Sequence, residues 1–464
     1  MNGIDNNLAD QLQQLAVKNN RLEEDNNLLR EENRLLKLQI EELRQKYFKK
    51  NTPKSEDDDP PHSPKKRGAP VGHVGATRKT PDHVDEHVDV RLDRCPECGG
   101  TDLRACQRYE DHYQEDIVLP QVRVTRFRHH FYYCRGCQDV VYGVGQGEVP
   151  NSYIGPVAKS MAVFLRYQMK IPYRKVRQLF QEFFHLSYVP SSGPGFDRQI
   201  RNRGSPLYKK LRQNLVNQPF VHIDETGWRN EGINHWLWCF ITQNSVIYHI
   251  DRSRGGKVVA AILGQQYAGV LISDFLAAYN QIKARKQRCL VHLLRLIKKR
   301  QVYFAGDRKR SKHFAHLKKQ VKSIMALSKQ MGKKRPKRFI DRKADLIAKL
   351  RRALQTTLGH PRTDKFLRKL SGRINELVTC LDDPQICAHN NLAERLLRDN
   401  VIMRKITFGN RSFYEDGQQN HAVLMSLIQT VRRRNINPLT FLHLLLTQPD
   451  VATATLLPVS VAAK

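Results

Sequence analysis

Four short apolar segments and one helical segment constrain the fold of this 464-residue chain more than any other feature. The segments are rich in β-branched and aromatic residues, which indicates strands: FVHID (220–224), HWLWCFIT (235–242), VIYHID (246–251) and GVLISDF (269–275). Turn residues separate the first three, at Glu231-Gly232 and Gln243-Asn244. Apolar residues recur at helical spacing between Val258 and Leu263. Three consecutive strands, a helix and a further strand predict an α/β domain with a mixed sheet.

Carboxylates follow this pattern at three places. Asp224 ends the first predicted strand, Asp274 ends the fourth, and Glu394 lies in the first turns of a predicted helix over 391–403. Phosphodiester cleavage uses two divalent cations about 4 Å apart, and hard cations take oxygen ligands. Each carboxylate alone is more typical of a turn, a cap or a helix surface. The order of the set along the chain is what predicts a site for two metal ions. Strand alternation turns Glu225 to the opposite face, which favours Asp224 as the ligand.

Positive charge indicates the partner. The chain has 79 Lys and Arg against 45 Asp and Glu, a net charge of +34, and a pI near 10. Such a surplus favours nucleic acid as the partner over a merely soluble basic protein. Residues 283–352 hold 26 of the basic residues and only three acidic ones. Their helical spacing predicts a basic helical insertion, assigned to about 300–386, that interrupts the α/β domain.

Two C-x-x-C pairs predict a structural metal site. Four thiolates at this spacing suit tetrahedral zinc in a zinc ribbon over 91–148; the ligands are Cys95, Cys98, Cys134 and Cys137. An odd total of nine cysteines argues for a reducing compartment rather than a disulfide framework. Reduced thiols without a metal are the alternative.

The first 47 residues predict a coiled coil. Leucine recurs every seven residues, at Leu8, Leu15, Leu22, Leu29, Leu36 and Leu43. Asparagines at the alternate seam positions favour a parallel dimer over a solitary amphipathic helix; they are Asn19, Asn26 and Asn33. Residues 48–90 then form a polar linker with acidic and basic stretches, which has the composition of a segment without a core.

Residues 149–216 have helical periodicity and resemble a helix-turn-helix. A first helix is predicted near Tyr173–Phe184 and a second from about Ser192. Base reading in the major groove and simple helical packing both remain open for the second helix, which carries Arg198, Arg201 and Arg203. No apolar run approaches the length of about 18 residues that spans a bilayer, and no secretory signal is visible. We therefore expect a cytoplasmic protein with no membrane partner, whose chain closes with long helices and a tail at 448–464.

Taken together, these stretches resemble the bacterial insertion-sequence sixty-six transposases, a family of DDE transposases. The resemblance covers nearly the whole chain in order, with only the linker and the basic insertion matching loosely. Besides the zipper and the CPxCGG module, it rests on HIDETGW (222–228), WLWCF (236–240), SRGG (253–256), GVLISDFLAAYN (269–280), CLVHLLR (289–295), NNLAERLLR (390–398) and SLIQTVRRRNINPLTFL (426–442).

The resemblance implies a ribonuclease-H-like catalytic domain over 217–447. It assigns the catalytic triad to Asp224, Asp274 and Glu394, which would hold two Mg²⁺ or Mn²⁺ ions. It also matches the family's Cys-x-x-His element to Cys289 and His292, with either a supporting or a structural role for the histidine. Arg395 and Arg398 follow Glu394 on its helix, and we expect them to neutralise DNA phosphates. Typical members have Asp-Asn-Asn where this chain has His389-Asn390-Asn391.

The expected protein is thus a multidomain α+β transposase with a coiled coil, a zinc ribbon, a helical DNA-binding segment and a catalytic domain. It would bind the terminal inverted repeats of an insertion sequence in the bacterial nucleoid, cleave one strand and join it to target DNA. Small accessory proteins of the same element are implied as partners, beside DNA and a second copy of the chain. A metal-dependent nuclease or resolvase without strand transfer, and a catalytically silent zipper and zinc DNA-binding protein, are the alternatives.

Overall fold

The computed structural model describes residues 81–89, 91–94, 96–102, 104, 113–114, 122–149, 152–331, 336–410 and 416–457. The predicted coiled coil (1–47) and Cys95 lie outside these residues. The chain divides into two compact units, Met1–Glu115 and Asp116–Lys464. The domain boundaries drawn from the sequence stay predictions. In the parts of the chain that the structure covers, no helix is long and apolar enough to cross a membrane.

A small hairpin begins the described part of the second unit. Strand β1 (Phe131–Cys134) pairs antiparallel with β2 (Asp139–Tyr142). The last pair of the ladder joins Cys134 to Asp139, so Cys137 lies in the connecting turn.

Among the described residues, three helices precede the main sheet: α1 (Pro156–Tyr167), α2 (Tyr173–Phe184) and α3 (Ser192–Gln213). The positions of α2 and of the start of α3 confirm the predicted pair of helices. Helix α3 buries Phe196, Ile200 and Leu207 in the same core as the sheet. The pair therefore packs as an integral part of the fold.

The main sheet is mixed and has five strands, in the order β5-β4-β3-β6-β7. Strands β3, β4 and β5 form an antiparallel meander, while β6 and β7 run parallel to β3. The strands are β3 (Phe220–Asn230), β4 (Ile233–Ile241), β5 (Val246–Asp251), β6 (Gln266–Ser273) and β7 (Lys283–Arg288). Helix α4 (Gly256–Leu263) connects β5 to β6. This arrangement confirms the mixed sheet.

Strand β3 is longer than predicted, since it continues past Asp224 to Asn230. Strand β4 pairs with it from His222 onward, and the two-residue turn at Glu231-Gly232 has φ values of 53° and 77°. Positive φ at both positions matches the twist of a tight hairpin, which lets pairing run to the turn. The β6 ladder, in contrast, covers only Phe220–His222, so Asp224 lies just beyond the end of its parallel neighbour.

Strand β7 was not foreseen, because its sequence KARKQR resembles the start of the basic helical stretch. It forms the sheet edge parallel to β6, and Gln287 and Arg288 at its end are fully buried. Tertiary pairing and internal polar contacts, rather than local hydrophobicity, make this segment a strand.

Five helices follow β7 and form a second core: α5 (Leu290–Tyr303), α6 (Arg308–Ser328), α7 (Pro336–Gln355), α8 (Pro361–Ser371) and α9 (Ile374–Val378). In α6 the buried side chains are Phe314, Leu317, Val321 and Ile324. Lysines occupy its exposed face, at Lys309, Lys312, Lys319 and Lys322. The predicted basic insertion is thus a helical subdomain with an apolar interior, and Val270 and Ile272 of β6 contribute to that interior.

The chain returns to the sheet with α10 (Asn391–Thr407), α11 (Asp416–Arg433), α12 (Pro438–Thr447) and α13 (Pro449–Leu456). They share the first core with α1, α3, α4 and most of the sheet. The two cores therefore meet at β3 and β6.

Candidate active site

Asp224 and Asp274 lie level with each other on neighbouring strands. The parallel register pairs His222 of β3 with Ile272 of β6, and each aspartate is two residues further along its strand line. Alternate residues of a strand share a face, and Ile272 faces the core of the insertion. The two carboxylates therefore project on that face, where β6 ends.

Glu225 occupies the opposite face, as strand alternation predicts. Its carboxylate accepts hydrogen bonds from Arg254 Nη2 at 2.8 Å and Nε at 3.0 Å, and from the Tyr279 hydroxyl. Burial raises the pKa of Glu225, and these donors oppose that rise. Its binding capacity is thus satisfied within the protein.

Glu394 lies in the first turn of α10 and faces α5. Its Oε1 is 3.6 Å from His292 Nδ1, and its Oε2 is 3.7 Å from Arg295 Nη2. Both distances exceed that of a good hydrogen bond. Glu394 Oε1 and His292 Nδ1 are buried and have no hydrogen-bond partner among the described residues. Buried polar atoms without partners are rare, so this pair is a candidate position for a ligand.

The pKa of Asp224 is raised to about 8, first by burial and then by repulsion from Glu225, Asp274 and Glu394. The structure thus brings Asp274 and Glu394 within electrostatic reach of Asp224. A divalent cation between such groups relieves the repulsion and favours their ionised forms. The all-oxygen donor set fits Mg²⁺ or Mn²⁺.

A second donor set includes the same glutamate. Ligand atoms of Cys289, His292 and Glu394 all lie within 4.8 Å of one another. However, Cys289 Sγ accepts a hydrogen bond from the Asn390 amide at 3.2 Å, and burial raises the pKa of the thiol. Metals bind the thiolate rather than the thiol, so this cysteine fits a structural role better than a ligand role.

Asn390 was given no role from the sequence, although it begins the NNLAERLLR motif, yet it connects the start of α10 to β3. Its Nδ2 donates to the Ile223 carbonyl at 2.8 Å, and its Oδ1 lies 3.0 Å from His222 Nδ1. Burial lowers the pKa of His222 to about 4, so its ring is neutral. Because the amide oxygen of Asn390 can only accept, we assign the single ring proton to Nδ1. The signal that the sequence offered for Asn390 was its position directly before the predicted helix of Glu394.

Arg288 is a second residue that sequence analysis missed. Its side chain is fully buried and bonds Glu376 Oε2 at 2.7 Å, the Asp274 carbonyl at 2.8 Å and Asn280 Oδ1 at 2.7 Å. These contacts fix the loop that carries Asp274. Within the basic stretch of the sequence, nothing distinguishes this arginine from those that face solvent.

The predicted DNA-binding arginines have different surroundings. Arg201 Nε donates to Asn420 Oδ1 of α11 at 3.0 Å, inside the helical packing. Arg198 is exposed at the rim of a cavity of about 650 Å³, and Arg203 is exposed on α3. Arg395 and Arg398 are exposed within about one helical turn of Glu394. These last two are the arginines closest in sequence to the carboxylate cluster.

The cysteines of the predicted zinc site are only partly described. Cys134 and Cys137 lie at the end of β1 and in the following turn, and hydrogen bonds from Cys137 lower the pKa of the Cys134 thiol. Cys98 is an exposed free thiol in the first unit. Zinc binding stays a prediction.

Comparison with known proteins places the chain in a family. The sequence model described as "Transposase IS66 family" matches residues 151–415, more than half of the chain. The match extends from before α1 to just beyond α10 and so includes the three carboxylates. A curated relative, the uncharacterized protein y4jO of Sinorhizobium fredii, is 34% identical over 79 residues, which is 17% of this chain and 24% of that protein. The chain thus matches about a quarter of the length of that relative.

Proposed function

Because the chain belongs to the IS66 family of transposases, we propose that it is a DNA transposase with Asp224, Asp274 and Glu394 as its catalytic residues. It binds the terminal inverted repeats of an insertion sequence, cleaves one strand and joins the freed end to target DNA. The observation that carries this proposal is the half-buried Asp224 at the end of the β6 ladder: burial, and then repulsion from Glu225, Asp274 and Glu394, raises its pKa to about 8.

Asp224, Asp274 and Glu394 would hold two Mg²⁺ or Mn²⁺ ions. Such ions activate the attacking oxygen and stabilise the leaving oxygen of an in-line displacement. Asn390 and Arg288 keep the carboxylates in place, through β3 and the Asp274 loop respectively. A ribonuclease-H-like assignment of the domain agrees with its antiparallel meander and two parallel strands.

Two displacements at phosphorus make up the reaction. In the first, a water oxygen bonds to the scissile phosphorus as the bond to the 3′ oxygen breaks, which leaves a 3′ hydroxyl and a 5′ phosphate. In the second, that 3′ hydroxyl attacks a target phosphodiester, loses its proton, and displaces the target's 3′ oxygen. The number of phosphodiester bonds is conserved in the second step, so no nucleotide cofactor and no covalent protein–DNA bond are needed.

Exposed basic groups support DNA as the substrate. Arg395 and Arg398 follow Glu394 on α10, and the lysines of α6 cover the outer face of the insertion. Such groups supply affinity that falls with rising salt. Arg198 and Arg203 of α3 extend the basic surface, whereas Arg201 contacts α11. We further propose that residues 1–47 pair two subunits and that the protein acts in the bacterial cytoplasm, with accessory proteins of the same element as possible partners.

Zinc binding by Cys95, Cys98, Cys134 and Cys137 belongs to the same proposal. We expect one zinc ion per chain by atomic emission after purification without added metal. Cys137→Ser should lose the ion, while Cys387→Ser should keep it, because Cys387 is an exposed thiol outside the motif. Equal zinc in both variants would exclude this ligand set.

The proposed function is tested with a labelled duplex of the element end, a target plasmid and Mg²⁺ or Mn²⁺. Wild type should nick the end and join it to the plasmid, and Asp274→Asn should do neither while still binding the duplex. Nicking without joined product would identify a nuclease or resolvase. Binding without metal-dependent nicking, unchanged by Asp274→Asn, would identify a silent DNA-binding protein.

A further inference from the structure

Phe408 has an unfavourable position by two criteria. It ends α10 in the left-handed conformation, with φ of 57°, and 71% of its surface is exposed. Glycine or asparagine usually occupies this position after a helix, because a bulky side chain is strained there. An exposed aromatic ring gains nothing from the folded chain either. Strained residues of this kind cluster at active sites and ligand-binding sites, which makes Phe408 a candidate contact point.

The residues from Phe408 to Asn410, which directly follow α10, are firmly held. The Asn410 amide donates to the Arg229 carbonyl at 2.9 Å, and the Glu231 amide donates to the Asn410 carbonyl at 2.9 Å. Trp228 Nε1 donates to Asn410 Oδ1 at 2.7 Å. Gly409 packs so closely against the backbone of Arg229 that no side chain fits there. The β3–β4 hairpin therefore holds Phe408 in its outward orientation.

The surface on either side of the ring is concave and basic. One cavity, of about 920 Å³, is lined by Arg229, Trp236 and Lys405 together with Phe408. The other, of about 650 Å³, is lined by Arg166, Tyr173 and Arg174 together with Phe408. Its acidic residue, Asp197, is buried and accepts hydrogen bonds from Tyr167 and Tyr173. Cationic side chains around an exposed aromatic ring fit a nucleic acid strand, which has phosphates for the cations and flat bases for the ring.

The carboxylate cluster and Phe408 are connected by two straight elements. Along β3, Arg229 lies five residues beyond Asp224, about 16 Å at the rise of a strand. Along α10, Phe408 lies 14 residues beyond Glu394, about 21 Å at the rise of a helix. A DNA strand advances about 3.4 Å per nucleotide. A strand cut at the carboxylates therefore reaches Phe408 some five or six nucleotides away.

We propose that Phe408 stacks on an unpaired base of the element-end DNA while Arg229 and Lys405 contact the neighbouring phosphates. The inference rests on the proposed function, since it takes the DNA substrate as given. Stacking on an aromatic side chain strengthens binding by roughly tenfold per base. Every base has a flat face, so the contact selects an unpaired nucleotide rather than a particular sequence.

The test uses the full chain and two kinds of element-end duplex. One duplex is fully paired. The others each have a single unpaired 2-aminopurine, placed in turn at every position from three to eight nucleotides from the cleavage site, on either side. Wild type should bind one or two of the unpaired duplexes roughly tenfold more tightly than the paired one. Stacking should quench the 2-aminopurine fluorescence at those positions. Phe408→Leu should lose the preference and the quenching, and Phe408→Trp should keep both. Phe183→Leu is the matched control, because Phe183 is an aromatic residue 54% exposed elsewhere, on α2.

Phe408→Asn separates stacking from a structural role. Asparagine accepts the left-handed conformation, so the variant should melt at or above the wild-type temperature and still lose the preference. A lower melting temperature with weakened binding to every duplex would overturn the inference. A preference that survives Phe408→Leu, in a protein that cleaves paired ends normally, would overturn the inference alone. A wild type that binds no element-end DNA would overturn the proposed function with it.

Discussion

Asn390 and His222 are joined by a hydrogen bond of 3.0 Å that links the start of the Glu394 helix to the strand of Asp224. Asn390 is fully buried, and its amide nitrogen also bonds the carbonyl of Ile223, the residue before Asp224. Two carboxylates that are 170 positions apart in the sequence are thus set by one side chain. Their relative placement is a property of this amide rather than of either element alone.

Asn390→Ala should therefore reduce catalysis and stability together. It leaves His222 and the Ile223 carbonyl buried without partners, at a cost of about 1–3 kcal/mol for each group. Misplacement of Glu394 by about an ångström should lower strand cleavage roughly 100-fold. Urea unfolding and single-turnover cleavage measure the two effects. Asn391→Ala, at an exposed neighbour, should change neither, and wild-type cleavage by Asn390→Ala would show that the bond does not set the site.

Adjacent acidic residues on β3 should respond differently to loss of charge. Asp224→Asn removes a proposed metal ligand and should lower cleavage by roughly a thousandfold or more. Glu225→Gln keeps its hydrogen bonds with Tyr279 and weakens only the contact with Arg254, so its loss should stay within about 10–100-fold. Cleavage rates at saturating Mn²⁺ decide the order. The reverse order would make Glu225 the ligand.

Arg288 and Arg285 lie on the same strand and form a matched pair for stability. Arg288→Met leaves Glu376 and Asn280 without their buried partner and should lower the free energy of unfolding by about 3–5 kcal/mol. Arg285→Met breaks an ion pair with Asp382. The side chain of Arg285 is 59% exposed and that of Asp382 is 40% exposed. Its cost should be at most about 1 kcal/mol. Similar costs in urea unfolding would mean that the buried network does not stabilise the Asp274 loop.

Asp197 should give stability a defined pH dependence. Burial raises its pKa from the ordinary 3.8 to about 6, against the hydrogen bonds from Tyr173 and Tyr167. Between these values the folded protein keeps a proton that the unfolded chain has lost, so the free energy of unfolding falls as pH rises. Relative to Asp197→Asn, the wild type should lose up to about 3 kcal/mol from pH 4 to pH 6 and little above about pH 7. A difference that is constant with pH would contradict the shift.

Local patterns in the sequence predicted the elements that carry their own signal. The helix at Tyr173–Phe184 and the strands of the meander have strong periodicity, and the structure has them at nearly the expected bounds. Strand β7 has no such signal, because its pairing with β6 and the buried contacts of Arg288 arise only in the folded chain. The extension of β3 to Asn230 likewise depends on its pairing with β4.

The sequence was enough to propose the acidic residues of the candidate site, but not the residues that hold them in place. Acidic residues at strand and helix ends predicted Asp224, Asp274 and Glu394, and the structure places the last two within electrostatic reach of Asp224; their catalytic role stays a prediction. Asn390 and Arg288 act through hydrogen bonds that form only in the folded chain, which no local pattern encodes. Arg201 shows the converse, since a regularly spaced arginine of a predicted DNA-reading helix proves to bond Asn420 inside the protein.

The helical insertion leaves the sheet and returns to it at almost the same point. The Leu290 amide donates to the Ala388 carbonyl at 2.9 Å, and the Asn390 amide donates to Cys289 Sγ, 101 residues away in sequence, at 3.2 Å. A segment whose ends meet can be exchanged for a longer or shorter one at little cost in chain entropy. The helical insertion can therefore change in length, in evolution or by graft, at little cost in chain entropy, as long as Glu376 keeps its contact with Arg288.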